Sequence, residues 1–419
     1  MKTGGEYIKS QFSSINKIYI IGASDSGIKI ANFCLLKHKT VFVSDNDPDQ
    51  EEVFLNSIKA ERSLLEYNFD GHSKNFVEEA SMIIHSTSIL ANDKILNFAR
   101  EEGKIICSTI EFSAAFISGK LLVVTGTNGK STLLQVLEHL IQQPGKNIFF
   151  TKRNSGRTIV DILYKQGKYD LVIAELSAVE LNGITNINPS MVIITNLIKD
   201  LGHTNQFGGY SEYLSAKFKW LECINSNFGI FATDEVHNQL DSVINFRMLS
   251  NNCNRIVLKN NGSQEVFICK LVNYLHNYCS WVSKSITEAA VLESLKIVLN
   301  RQLILLPLSK GIKLYIDKNA KNIDATLWTI KLLDLEYILI TWNKNIMDAF
   351  INNSSRCKNI IVVGNDSNLN YELNNALTEA IKSSYKHEVK NILFSPGLPF
   401  PPRFDHLNAL KNIIDSPLK

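Results

Sequence analysis

The sequence lacks paired cysteines, an excess of charge of either sign and any long apolar run. Its seven cysteines are odd in number and form no CxxC pair, which disfavours disulfides and structural zinc and is typical of thiols in a reducing compartment. The 44 basic and 41 acidic residues leave a net charge of +3, so no basic stripe indicates a nucleic-acid partner.

A membrane-spanning helix needs ~18 consecutive apolar residues, and no run in the chain reaches that length. The N-terminal stretch MKTGGEYIKSQF has no apolar core of the kind a secretion signal carries. These absences predict a cytoplasmic protein with neither a membrane nor a nucleic-acid partner. No feature argues for an oligomer.

What is present favours several folded domains. The 419 residues are enough for about three domains, and 45% apolar with 20% charged residues is typical of a globular chain. Apolar strand patterns alternate with helical ones from KIYIIG to VKNILFS, without tandem repeats. We predict an α/β protein with three domains: a Rossmann-like N-terminal domain (1–108), a central P-loop mononucleotide-binding domain with a parallel sheet (109–299), and a Rossmann-like C-terminal α/β domain (300–419).

A glycine-rich loop in the central domain indicates phosphate binding. The strand LLVVTG leads into TNGKST and a helix, so backbone N–H groups and the helix N-terminus converge on one point. The general pattern GxxxxGK[ST] requires a glycine where Val124 stands, so this loop is a shorter variant. We expect triphosphate binding by the loop, with Lys130 at the β/γ-phosphates and Ser131 or Thr132 on magnesium; the loop residues are Gly126, Thr127, Asn128, Gly129, Lys130, Ser131 and Thr132.

Two charged residues fall at positions where burial is predicted. Glu175 ends the buried strand DLVIAEL, where it either binds the nucleotide's magnesium or is a solvated acid at the sheet edge. Lys217 shares an apolar helix face with Leu214, Phe218 and Leu221. Such a lysine either extends its amine to the surface or loses its proton and becomes reactive, and periodicity alone does not decide between them.

The loop TGTNGKST resembles the nucleotide loop of the Mur ligases, in which the first glycine of the general pattern is also absent. Further landmarks follow in the family's order: a GxxxSG-like turn, IEF, RNSG, AELS, a histidine, a lysine and a late DxxAxN. The resemblance covers most of the chain. Within the family, the order of landmarks is most similar to the members that add D-glutamate to UDP-N-acetylmuramoyl-L-alanine.

The resemblance implies roles for the central residues. The loop with Lys130 would hold ATP, Glu175 and His203 would hold two magnesium ions, and Asn154 of RNSG would contact the substrate. Lys217 stands 14 residues after His203, as in the family, and would be carbamylated by carbon dioxide. The residues alone also allow His203 to be an ordinary surface histidine, and Gly202 stands where the family has an acidic residue.

In the N-terminal domain the resemblance implies a site for the UDP end of the substrate. Gly22, Ser26 and Gly27 would face the pyrophosphate, Asp45 would meet the uridine, and Ser86 follows the third predicted strand. From the residues alone, a glycine turn that only closes a βα unit is the preferred interpretation. The family's Ser-Pro-Gly turn keeps only its serine at Ser86.

The C-terminal domain departs most from the family. YIDKNAKNIDAT keeps Asp317, which the resemblance places at the nucleotide, while Asn319 and Lys321 replace a lysine and a threonine; Lys318 or Lys321 would supply the missing cation. Phe400 replaces the serine expected to hold the D-glutamate carboxylate, leaving Phe404 as a wall and Arg403 as a cation.

The implied activity is ATP-dependent ligation of D-glutamate to UDP-N-acetylmuramoyl-L-alanine, with the third domain closing over both substrates. Two alternatives stay open: another Mur-type or folylpolyglutamate-type ligase with a different amino acid, and a P-loop ATP-binding protein without ligase activity.

Overall fold

Three β-sheets organise the chain in the computed structural model. It describes residues 4–89, 93–141, 145–152, 155–165, 169–199, 207–224, 227–243, 253–258, 264–277, 285–308, 311–317, 320, 323–333, 335–342, 357–363 and 369–395. The chain divides into two compact units, Met1–Ser285 with two sheets and Ile286–Lys419 with one. The predicted α/β class is confirmed, while the three predicted domain ranges stay predictions.

The N-terminal sheet has five parallel strands in the order β3-β2-β1-β4-β5. The strands are β1 (Lys17–Ile21), β2 (Thr40–Ser44), β3 (Leu65–Asn68), β4 (Met82–His85) and β5 (Ile105–Ser108). The helices are α1 (Gly4–Ser14), α2 (Asp25–Leu36), α3 (Gln50–Ser57), α4 (Lys74–Glu79), α5 (Lys94–Glu101) and α6 (Thr109–Ala114). The strand order reverses between β1 and β4, which is where ligands bind in open α/β sheets.

The sequence patterns missed two elements here. The edge strand β3 has exposed Glu66 and Tyr67 and lacks an apolar run, so Ser86 follows the fourth strand and not the third. The N-terminal stretch forms α1, because Ile8 and Phe12 lie four residues apart on one helix face and are both buried.

The central sheet is parallel, with the order β11-β10-β9-β6-β8-β7. Its strands are β6 (Lys120–Thr125), β7 (Ile148–Phe150), β8 (Leu171–Glu175), β9 (Met191–Ile194), β10 (Phe228–Thr233) and β11 (Cys253–Leu258). Its helices are α7 (Lys130–Leu140), α8 (Ala178–Leu181), α9 (Tyr210–Phe218), α10 (Asp234–Asp241) and α11 (Gln264–Asn277), with 3-10 helices at Ile159–Lys165 and Lys219–Cys223. One apolar cluster continues from the N-terminal sheet into this one and includes Phe12, Phe112, Ile162 and Val192.

The third sheet has the order β12-β13-β16-β14-β15, with β12 antiparallel to β13 and the other pairs parallel. Its strands are β12 (Ile304–Pro307), β13 (Lys313–Ile316), β14 (Tyr337–Thr341), β15 (Cys357–Val362) and β16 (Asn391–Phe394). The helices of this unit are α12 (Glu288–Gln302), α13 (Ile323–Leu333) and α14 (Leu369–Lys386). Among the described residues, none of the helices combines the length and apolarity needed to cross a bilayer.

Candidate functional site

The glycine-rich loop lies at the centre of the second sheet. β6 pairs with β8 on one side and β9 on the other, so the carboxyl ends of three parallel strands meet at Gly126. Gly126 has φ of 137°, and a Cβ there would stand 2.1 Å from Thr195 Oγ1. Only glycine combines this backbone conformation with so close an approach. Gly129, with φ of 79°, is the N-cap of α7.

Residues that follow β9 hold the loop in place. Thr195 Oγ1 donates to Asn128 O at 2.6 Å, Asn128 N donates to Asn196 Oδ1 at 2.9 Å, and Thr127 N donates to Asn196 O at 2.9 Å. The sequence analysis missed Thr195 and Asn196. Their signal was available, since polar residues directly after a buried parallel strand reach the same sheet edge as the loop.

Lys130, Ser131 and Glu175 converge where the resemblance places the phosphates. Lys130 Nζ donates to Gly126 O and to Thr127 O, each at 2.9 Å. Ser131 Oγ donates to Glu175 Oε2 at 2.6 Å. Glu175 is buried, so it is not a solvated acid at the sheet edge. Thr132 is buried within the first turn of α7.

Lys217 is buried against the same loop. Its side chain is 2% exposed, its Nζ donates to Gly126 O at 2.9 Å and lies 5.0 Å from the centre of the Tyr213 ring. Burial, and then the charge of Lys130, hold the pKa of the Lys217 amine well below its usual value, while Glu180 and Glu175 act in the opposite direction. The amine therefore does not extend to the surface, and its lowered pKa makes it lose its proton more readily than an exposed lysine does.

Tyr213 connects Lys217 to the loop. Its hydroxyl lies 3.1 Å from Thr127 Oγ1, and Thr127 Oγ1 accepts from Ile198 N at 3.1 Å. Tyr213 is four residues before Lys217 on α9, so both side chains lie on one helix face. The sequence analysis did not single out this tyrosine, because it reads as one more residue of the apolar face.

Magnesium would find suitable donors at the loop. A hydroxyl and a carboxylate that already meet, those of Ser131 and Glu175, are the oxygen ligands this ion prefers. The other predicted metal residue, His203, lies outside the described residues. Within the described part of the chain, no group of three or more His, Cys, Asp or Glu side chains could hold a metal.

The predicted residues of the N-terminal sheet also meet at one edge. Gly27 packs so tightly against the glycine turn that a Cβ would stand 2.0 Å from Gly22 O, and Ser86 lies beside Gly22 across the β1–β4 switch point. Asp45 accepts from Ala23 N at 2.6 Å and from Asp47 N at 3.1 Å, so its carboxylate fixes the turn. Ser26 lies half-buried in the first turn of α2.

The remaining predicted residues are divided between the third sheet and undescribed positions. Asp317 is buried after β13, where its backbone N–H donates to Phe394 O at 2.9 Å and its carboxylate accepts from the Thr329 hydroxyl. Asn154, Lys321 and Phe404, like Asp200, Asn319, Phe400 and Arg403, lie outside the described residues.

Comparison with known proteins gives a family for the central sheet. Residues 124–267 match the Mur ligase middle domain. A UDP-N-acetylmuramoylalanine--D-glutamate ligase of Bdellovibrio bacteriovorus is 28% identical over 229 residues, which are 54% of this chain and 47% of that protein. The ligase of the same name from Geotalea uraniireducens is 26% identical over 208 residues, 49% of this chain and 45% of the relative. The matches span about half the length of these relatives, and the resemblance to the Mur ligases is confirmed.

Among solved structures, a pseudomurein peptide ligase type C from Methanothermus fervidus aligns over 95% of this chain and 99% of its own, with 15% identity and a TM-score of 0.45. A MurF ligase from Thermotoga maritima in complex with ADP aligns over 80% of this chain and 88% of its own, with 12% identity and a TM-score of 0.47.

Proposed function

We propose that the protein is an ATP-dependent ligase, because residues 124–267 match the Mur ligase middle domain. It joins D-glutamate to UDP-N-acetylmuramoyl-L-alanine through an acyl phosphate, in the cytoplasmic synthesis of peptidoglycan precursors, and it works as a monomer. The choice of substrates is supported by the names of the relatives and by the order of landmarks along the chain.

One observation carries the proposal: Lys130 and the Ser131–Glu175 pair lie together at the start of α7. The lysine offers a point charge to the β/γ-phosphates, and the hydroxyl with the carboxylate offers oxygen ligands to magnesium. Bound there, magnesium would neutralise part of the charge that otherwise makes triphosphate and substrate carboxylate repel each other. His203 would hold a second ion.

The reaction proceeds by two displacements. A carboxylate oxygen of UDP-N-acetylmuramoyl-L-alanine attacks the γ-phosphorus, the bond to the β-phosphate bridging oxygen breaks, and ADP leaves. The neutral amine of D-glutamate then attacks the acyl carbon, phosphate leaves, and the nitrogen loses a proton to give the amide. The protein's part is to position the reactants and balance their charge, which needs few reactive side chains.

Lys217 is the residue for which we propose a covalent change. A neutral amine reacts with carbon dioxide, forming an N–C bond and releasing one proton, and burial beside Lys130 favours that neutral form. The carbamate nitrogen keeps one N–H, which can still donate to Gly126 O as the amine does. The modification would add two anionic oxygen atoms near the loop, which would be additional ligands for magnesium.

For the amino-acid substrate, the sequence supports a specific alternative to D-glutamate. The serine expected to hold the D-glutamate carboxylate is Phe400, and a lysine of the DSKATN pattern is Asn319. These changes favour a second candidate, a ligase of the same type that adds a different amino acid.

Phosphate release from ATP tests both candidates. It is measured with UDP-N-acetylmuramoyl-L-alanine and, in parallel, D-glutamate, L-glutamate, L-alanine and a diamino acid. Lys130→Ala should lower the rate by about a hundredfold or more, because it removes a charge aimed at the phosphates. Lys120→Ala, at the exposed opposite end of β6, is the matched control.

Release that needs the UDP-sugar and D-glutamate together supports the proposal. Release with another amino acid replaces it with the second candidate. ATP binding without release under any combination means that the chain is a nucleotide-binding protein and not a ligase.

A further inference from the structure

Lys29 makes three polar contacts that connect the N-terminal and central sheets. Its Nζ lies 2.8 Å from Asp25 Oδ2, lies 2.9 Å from Asp161 Oδ1, and donates to Gly156 O at 3.2 Å. An ammonium group has three N–H bonds, so the contacts use all of them. Two of the acceptors, Asp161 and Gly156, lie between β7 and β8 of the central sheet, although Lys29 belongs to α2 beside the N-terminal sheet.

The segment that Lys29 contacts is itself held firmly. Asp161 Oδ2 accepts from Thr158 N at 2.7 Å, and Ile159, Val160, Ile162 and Leu163 of the same 3-10 helix are buried in the shared apolar cluster. The Tyr164 hydroxyl donates to the Lys29 carbonyl, so main chain and side chain of Lys29 are both tied to this helix. Lys29 therefore attaches to a rigid support.

The contacts join two places where the substrate is expected. Gly156 is the last residue of the RNSG motif, and α2 begins directly after the glycine turn expected to face a diphosphate. Asp25, the first residue of α2, would repel a diphosphate there, and Lys29 compensates its charge from one helical turn away.

We propose that Lys29 is a positioning residue that, through α2, holds the glycine turn of the N-terminal sheet against segment 155–161, between β7 and β8 of the central sheet. This connection aligns the site for the nucleotide-sugar diphosphate. This rests on the proposed function. None of the Lys29 contacts involves the ATP loop at 126–132, so we expect their loss to affect the first substrate and not ATP.

Lys29→Met tests the proposal, because methionine keeps most of the aliphatic length and removes the three contacts. The buried apolar residues of 159–163 keep the variant folded. In the full chain we expect KM for UDP-N-acetylmuramoyl-L-alanine to rise about fivefold or more, with KM for ATP and kcat within about twofold of the parent. Amide hydrogen exchange at Arg157 and Thr158, measured without substrate, should accelerate about tenfold.

Lys17→Met is the matched control, because Lys17 forms a single exposed ion pair with Glu79 at 2.7 Å on the same sheet. It should change neither KM for UDP-N-acetylmuramoyl-L-alanine nor the amide exchange of Arg157 and Thr158. If amide exchange in Lys29→Met equals that of the parent, Lys29 does not hold the two segments together. If exchange accelerates but KM for the UDP-sugar is unchanged, the contacts of Lys29 do not align the substrate site. If the parent turns over no UDP-sugar, the proposed function fails, and the exchange rates still decide whether Lys29 locks the two sheets.

Discussion

Lys217 places an amine in an apolar setting close to a second amine, that of Lys130. Where the folded protein holds the pKa of a lysine below its unfolded value, the unfolded chain binds the proton more readily and the fold is penalised. The penalty is full at pH values below both pKa values. It decreases as the pH rises, and it is lost above the ordinary lysine pKa, where both states are neutral.

Lys217→Met should therefore raise the free energy of unfolding at pH 7, by about 1–3 kcal/mol, and the gain should shrink by pH 10. Urea denaturation at the two pH values, in buffers freed of carbon dioxide, measures it. Lys219→Met removes an exposed partner of Glu222 and should have little effect at either pH. An equal gain at both pH values would contradict the titration of Lys217 as its cause.

Among single residues, the sequence predicted those that belong to a motif or lie at the end of a strand. Lys130, Ser131 and Glu175 meet because a glycine loop and a neighbouring strand end share one sheet edge. Thr195 and Lys29 were not predicted. Thr195 was marked by its position directly after a buried strand, whereas Lys29 carries no such mark. Its partner Gly156 is 127 residues away along the chain, and only the tertiary fold brings the two together.

Helix α6 fixes the segment that follows the N-terminal sheet. Its residue Glu111 is buried: one carboxylate oxygen accepts from Ser108 N at 2.7 Å, and the other accepts from Thr185 N at 2.7 Å and Asn186 N at 2.8 Å. The same carboxylate therefore completes the capping box of α6 and connects this helix to the central sheet.

Glu111→Ala should lower the free energy of unfolding by about 1–3 kcal/mol, because the N–H of buried Ser108 loses its acceptor and those of the more exposed Thr185 and Asn186 must turn to water. Glu111→Gln should cost less, since its amide oxygen still accepts from Thr185 and Asn186. Thermal and urea unfolding measure both, with Glu66→Ala on the exposed edge strand β3 as control. Equal losses in the two Glu111 variants would mean that the bonds to Thr185 and Asn186 contribute nothing, since only these bonds distinguish the variants.

Among the elements, most long apolar strands were predictable and short edge strands were not. KIYII, KLLVVT and YILIT form buried strands because their side chains exclude water on both sheet faces. Strands β3, β7 and β12 lie at sheet edges and escaped notice because each has only three or four residues. Polar residues suffice in β3, since one side of an edge strand faces solvent. Strands β10 and β11 were not predicted either, although β10 is apolar and buried.

The whole molecule consists of two compact units, and the described contacts of Lys130, Ser131 and Lys217 lie within Met1–Ser285. A fragment of residues 1–285 should therefore unfold cooperatively and bind ATP with an affinity within about tenfold of the full chain, without forming amide. Calorimetry measures both properties. The same fragment with Lys130→Ala is the control, and a fragment that binds no ATP would show that the rest of the chain is needed to form the nucleotide site.

The hydrogen bonds of the glycine loop have a consequence for ligand choice. Lys130 is bonded to two carbonyls and Ser131 to Glu175, so an incoming phosphate chain competes with partners that the protein supplies itself. Binding affinity is the surplus left after those bonds are exchanged. A nucleoside monophosphate offers few oxygens for the exchange and a triphosphate offers many. If the loop binds a nucleotide as we propose, it should therefore bind triphosphates in preference to nucleotides with shorter phosphate chains.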